Sequence, residues 1–206
     1  MLLVSFLAEA MVISLSGVMS PGPITAVAVG RGAQSPYAGI LVALGHGLVE
    51  FPLIAVVGWG FGTLLEAPGV RTGIALVGGI VLLIMGIGML RNRQRAGPIQ
   101  ESGDRQPLVA GLLLSAGNPF FLIWWATVGA ALIGRALQFG AWGPLVLGAA
   151  HWSVDLTWLA FLSALSYRGR RTFGPRFQET VLALCGAFLV LFGAKYIWEA
   201  VSAVVA

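Results

Sequence analysis

Six apolar stretches, at about 3–30, 37–65, 72–90, 108–133, 142–165 and 178–205, leave this chain little choice of fold. Each is long enough to cross about 30 Å of hydrocarbon as a helix rising about 1.5 Å per residue. Helix is the only option for such stretches, because a segment in lipid has no water to satisfy its backbone amides and carbonyls. Charge agrees: Asp, Glu, Lys and Arg make up 10% of the 206 residues, where a soluble domain carries about a quarter. The expectation is an all-α integral membrane protein with six transmembrane helices, forming one transmembrane domain over 1–206. No basic residue precedes the first stretch, so it does not read as a secretory leader. A single cysteine, Cys185, excludes a disulfide framework and a two-cysteine redox relay.

Arginine sets the expected orientation. Arg31, Arg91, Arg93, Arg95, Arg105, Arg168, Arg170, Arg171 and Arg176 fall on one side of the membrane, Arg71 and Arg135 on the other. The side with nine is read as cytoplasmic, which puts both termini outside a plasma (inner) membrane crossed several times. The basic pI is then a matter of topology, with anionic lipid as a partner of the loops and no nucleic acid. One polar linker, at about 91–107, divides the chain near its middle.

The two halves, about 1–95 and 108–206, resemble each other. "GIVLLIMG" at 79–86 aligns with "GAFLVLFG" at 186–193, and "GHGLVEFPLIA" at 45–55 with "AHWSVDLTWLA" at 150–160. In the second pair His46 meets His151 and Glu50 meets Asp155. "SPGP" at 20–23 sits where "GNP" sits at 117–119. Three crossings per half is an odd number, so the second half must enter the membrane from the opposite side. An inverted repeat of this kind is a transporter architecture.

"SPGP" late in the first helix, Gly39, Gly45 and Gly47 early in the second, and "NP" early in the fourth resemble the LysE/RhtB amino-acid exporters, over the whole chain. The resemblance implies a secondary exporter of amino acids or related metabolites, driven by the proton gradient. The wider superfamily also holds exporters of divalent cations. The doubled His–acid pair stands outside the resemblance and leaves the substrate open.

Proline removes a helix hydrogen bond and clashes with the preceding turn, so Pro21, Pro23 and Pro119 are expected to interrupt helices 1 and 4. Ser20 and Asn118 suit the N-cap, and Pro21 and Pro119 the first helical position. Each restart would aim a positive helix end inward, where Ser20, Pro21, Gly22, Pro23, Asn118 and Pro119 would hold a substrate carboxylate. The bland reading is a pair of kinks used only for packing.

His46 and Glu50, like His151 and Asp155, are four residues apart and share a helix face. A charge at the bilayer centre costs at least about 2.5–3.5 kcal/mol, so these faces should turn inward. Three roles stay open: carrying the coupling protons, holding a substrate ammonium, or ligating a divalent metal as cargo, with no resident cofactor required. A fourth is packing alone. Lys195 and Glu199 read as a self-neutralising pair near the outer interface, and Glu9 as a residue reaching water. Trp124, Trp125 and Trp158 would line a substrate cavity or simply pack. Gly79, Gly86, Gly186 and Gly193 suit tight packing of helices 3 and 6, within one chain or across a homodimer. No catalytic triad or haem-spaced histidine pair is present, so an enzyme is not expected.

Overall fold

The computed structural model describes residues 2–19, 22–61, 67–92 and 106–205. Ser20, Pro21, Arg93, Arg95 and Arg105 lie outside the described residues. The described chain is helical throughout, with no strand.

The elements in order are α1 (Leu3–Val18), α2 (Pro23–Gly32), α3 (Ala38–Val56), α4 (Pro68–Asn92), α5 (Gln106–Ala116), α6 (Pro119–Trp124), α7 (Ala130–Ala136), α8 (Gly143–Phe173) and α9 (Pro175–Val205). Two π turns, Val57–Phe61 and Trp125–Gly129, extend α3 and join α6 to α7. Five stretches are long and apolar enough to cross a membrane: Ala38–Gly60, Pro68–Gly88, Pro119–Phe139, Gly143–Phe173 and Ala183–Ala203. The α1–α2 pair, bent by 79°, makes a sixth if taken as one span. The fourth apolar segment of the sequence is divided. α5 is a short apolar helix, and Pro119–Phe139 is by itself long enough to cross.

Local chemistry explains where helices begin and end. A residue before proline is driven out of the helical region, and Gly22 (φ −151°, ψ 179°) and Asn118 (φ −98°, ψ 104°) are both extended. Hence α2 starts at Pro23, with Gly22 as its N-cap. Asn118 caps α6 as expected, its Oδ1 accepting the Phe120 N–H at 3.1 Å. α8 runs well past the predicted boundary at 165 and stops at Gly174, whose φ of 77° suits only glycine.

Burial is inverted relative to a soluble domain. Val12, Leu48, Val77, Ile84, Leu184 and Leu191 are exposed, while Ser14, His46, Glu50, Ser115, Asn118, His151 and Asp155 are buried. Apolar outside and polar inside is the distribution a bilayer demands, and the chain is a multi-pass membrane protein. Its core has two apolar clusters. One holds Phe6, Leu53, Ile54, Trp125 and Leu147, the other Val42, Ala43, Leu82, Leu159 and Leu189. Along both α3 and α8 the His–acid pair falls between them.

The glycine stripes on helices 3 and 6 of the sequence are used within the chain, between α4 and α9. A Cβ on Gly86 would sit 2.8 Å from the Gly186 carbonyl oxygen, and one on Gly193 would sit 2.7 Å from that of Gly79. On α3, Gly39 lies against the Leu159 carbonyl of α8 and Gly45 against the Leu108 carbonyl of α5. At the arginine-rich end, α8 is tied to the α2–α3 connection. Ser166 Oγ donates to the Val29 carbonyl (2.8 Å), Ser163 Oγ to that of Pro36 (2.7 Å) and Arg170 Nη1 to that of Ala33 (3.3 Å).

Candidate functional site

The two His–acid pairs meet. Helical spacing places His46 and Glu50 on one face of α3, His151 and Asp155 on one face of α8, and these faces pack against each other. His151 Nε2 lies 3.1 Å from Glu50 Oε1 and 3.3 Å from Asp155 Oδ2. His46 Nε2 lies 3.7 Å from Glu50 Oε1 and 3.9 Å from Asp155 Oδ2. The four atoms thus form a closed ring in which nitrogen and oxygen alternate. None of the four residues is more than 7% exposed.

Each imidazole is held from behind by a serine of the other half. His151 Nδ1 is 2.7 Å from Ser14 Oγ on α1, and His46 Nδ1 is 2.7 Å from Ser115 Oγ on α5. The serine hydroxyls are already committed: Ser14 Oγ donates to the Ala10 carbonyl at 2.7 Å and Ser115 Oγ to the Gly111 carbonyl at 2.5 Å. Two oxygens that close must share a proton, and a carbonyl has none to give. The serine oxygen is therefore left as an acceptor, and the proton on each ring resides on Nδ1. A neutral imidazole then presents its Nε2 lone pair to the carboxylates.

Among the described residues, no hydrogen-bond donor reaches the buried oxygens of Glu50 or Oδ2 of Asp155. The ring thus gathers two imidazole nitrogens and two carboxylates, whose charge either protons on the Nε2 atoms or a bound cation can balance. Buried charge without a partner is strongly unfavourable, so the arrangement calls for one or the other. Ring walls enclose it: Phe121 lies edge-on to His46 at 4.7 Å, and Trp124 and Trp125 flank His151 at 5.0 Å each.

A cavity of about 810 Å³ adjoins the ring. His46, His151 and Asp155 reach its wall, whereas Glu50 lies behind it. Gly22, Pro23, Asn118 and Pro119 line the same cavity, so the restarting helix ends and the titratable ring share one space. Trp124 and Trp125 also line it, and the Trp125 Nε1–H is buried with no acceptor among the described residues.

Sequence reasoning missed two contributors. Ser14 and Ser115 carry no pattern of their own, since a serine in an apolar helix commonly bonds the carbonyl one turn back. Lys195 and Glu199 do pair, at 3.6 Å, yet they also line the cavity, which therefore extends to the far end of α9. Glu9 does not simply reach water. It takes a two-pronged bond from Arg135 of α7, at 2.8 and 2.7 Å, tying the first turns of α1 to the second half.

A multi-pass helical protein whose buried charges face an internal cavity has the build of a membrane transporter. The family model for LysE type translocators matches residues 15–200. The chain belongs to that family of transporters. A search of curated proteins and a search of solved structures each found no match.

Proposed function

We propose that this chain is a secondary-active exporter of an amino acid or a related small metabolite, coupled to protons and working by alternating access between two inverted halves. The observation that carries the reading is the shared cavity: the N-terminal ends of α2 and of the helix beginning at Pro119 face the same space as three of the four ring residues. Positive helix ends and the unpaired Trp125 Nε1–H suit a substrate carboxylate. The ring of His46, Glu50, His151 and Asp155 suits the coupling proton, because its two buried carboxylates need a cation whenever the site is sealed.

Several features support the inverted arrangement. The aligned motifs occur in the same order in both halves. Each histidine takes its serine from the opposite half, as a pseudo-twofold axis requires. The helix interruptions before Pro23 and Pro119 fall at matching places. The cavity reaches the end of α9, while hydrogen bonds from Ser163, Ser166 and Arg170 close the arginine-rich end. In this reading the molecule is open to the outside.

The test is counterflow of a panel of radiolabelled amino acids in liposomes containing the purified protein. Glu50→Gln and Asp155→Asn should abolish acidification-linked transport while keeping substrate exchange. Absence of counterflow for every amino acid and amine in the panel would overturn the reading.

A further inference from the structure

We propose that the buried ring is a binding site for one divalent transition-metal ion of the zinc class, ligated by His46 Nε2, His151 Nε2 and one oxygen each of Glu50 and Asp155. The proposal uses only the geometry of the ring and does not depend on the exporter reading.

The spacing is the first argument. Bonds of about 2.0–2.1 Å at tetrahedral angles put neighbouring ligand atoms about 3.3 Å apart. Two edges of the ring, 3.1 and 3.3 Å, already match, and the other two, 3.7 and 3.9 Å, need to shorten by about half an ångström. Ligand atoms of His46, Glu50 and Asp155 all lie within 4.8 Å of one another; His151 stands outside that group and joins it through Glu50 and Asp155, so the two imidazoles must draw together across the ring as the ion binds.

The second argument is proton placement. A metal-bound histidine characteristically donates its other ring N–H to a fixed acceptor, which sets the tautomer and orients the ring. Ser14 and Ser115 supply such acceptors, each locked by its own bond to a backbone carbonyl. Both Nε2 lone pairs are thereby aimed at the same point as the carboxylates.

The third argument is charge and ligand type. Glu50 is fully buried, no donor among the described residues reaches either of its oxygens, and two carboxylates balance a divalent ion. Imidazole with carboxylate suits zinc, cobalt and nickel, whereas magnesium and calcium take shells of six or more oxygens. Deprotonated ligands mean that metal and protons compete for the same atoms.

The experiment is a titration of the full-length, tag-free protein in detergent with Co²⁺, followed by Zn²⁺. One equivalent of Co²⁺ should give the intense visible band of a four-coordinate site without thiolate, and Zn²⁺ should bleach it. Glu50→Gln and Asp155→Asn, which keep side-chain size, and His151→Ala should each weaken binding at least tenfold, as measured by calorimetry. Excess Mg²⁺ should leave the band unchanged. No saturable band, or variants that bind like the wild type, would overturn the proposal. If His151→Ala fails to fold, the two size-preserving variants decide. Amino-acid counterflow retained without metal binding would remove the metal site alone. Metal binding without any counterflow would remove the exporter reading alone.

Discussion

Replacing Ser115 by alanine takes away the one oxygen among the described residues that His46 Nδ1–H bonds, in a histidine 3% exposed. The ring has two responses. It can keep its proton on Nδ1 and bury an unsatisfied donor, at about 1–3 kcal/mol. Or it can move the proton to Nε2, where Glu50 Oε1 and Asp155 Oδ2 stand at 3.7 and 3.9 Å, too far for a hydrogen bond. Neither response recovers the loss, so Ser115→Ala should fall near the upper end, about 2–3 kcal/mol of unfolding free energy. Ser14→Ala removes the equivalent oxygen from His151, but here the second response works. Glu50 Oε1 is 3.1 Å from Nε2 and Asp155 Oδ2 is 3.3 Å away. A hydrogen bond to a charged acceptor offsets most of the cost, leaving about 1 kcal/mol or less. The two chemically identical substitutions should therefore differ by about 1–2 kcal/mol. The assay is reversible unfolding in detergent micelles, alongside ¹⁵N spectra of the imidazoles. Both Nδ1 atoms should carry a proton in the wild type, and only His151 should switch in Ser14→Ala. Ser16→Ala, which removes an exposed bond to the Ile13 carbonyl, should stay within about 0.5 kcal/mol. Ser14→Ala costing as much as Ser115→Ala, or a wild-type spectrum with either Nδ1 unprotonated, would refute the reasoning.

The packing of α4 on α9 gives a second prediction. Gly86→Ala puts a methyl 2.8 Å from the Gly186 carbonyl oxygen and 2.9 Å from the Val190 nitrogen, and should cost about 1–3 kcal/mol by unfolding. Gly88→Ala, with nothing within 4 Å on the same helix, should be neutral or stabilising by up to about 1 kcal/mol. Accessibility gives a third. In a Cys185→Ser background, Lys195→Cys and Glu199→Cys should react quickly with a membrane-impermeant thiol reagent, and buried Ser163→Cys slowly. Equal rates would contradict a cavity open at the α9 end and closed at the other. Salt gives the last: the exposed Glu9–Arg135 pair should contribute less as ionic strength rises, so Arg135→Gln and wild type should converge in stability at high salt.

What the sequence disclosed followed from properties that local composition carries. Apolar runs marked the helices, and a His–acid pair repeated in both halves marked residues that cannot face lipid. Pairing across the halves was less accessible. Ser14 and Ser115 matter because of a neighbour in the other half, and no short-range spacing encodes that. The start of α2 at Pro23 follows from the proline-proximal restriction on Gly22, which the sequence contained. Lys195 and Glu199 were correctly paired, but depth along a helix does not say that their face borders a cavity. Arg135 appeared only as a topological charge. Its contact with Glu9 depends on how the two halves dock.

The exchange of serines has a consequence for leakage. His46 is moored to α5 and His151 to α1, so any rigid displacement of one half against the other strains both moorings at once. The directions of the two Nε2 lone pairs, and hence the hold on whatever cation sits between them, change together with the relative position of the halves. In the proposed exporter, the hold on the cation and the position of the halves would then change together, which works against a cation slipping through while the halves stay put.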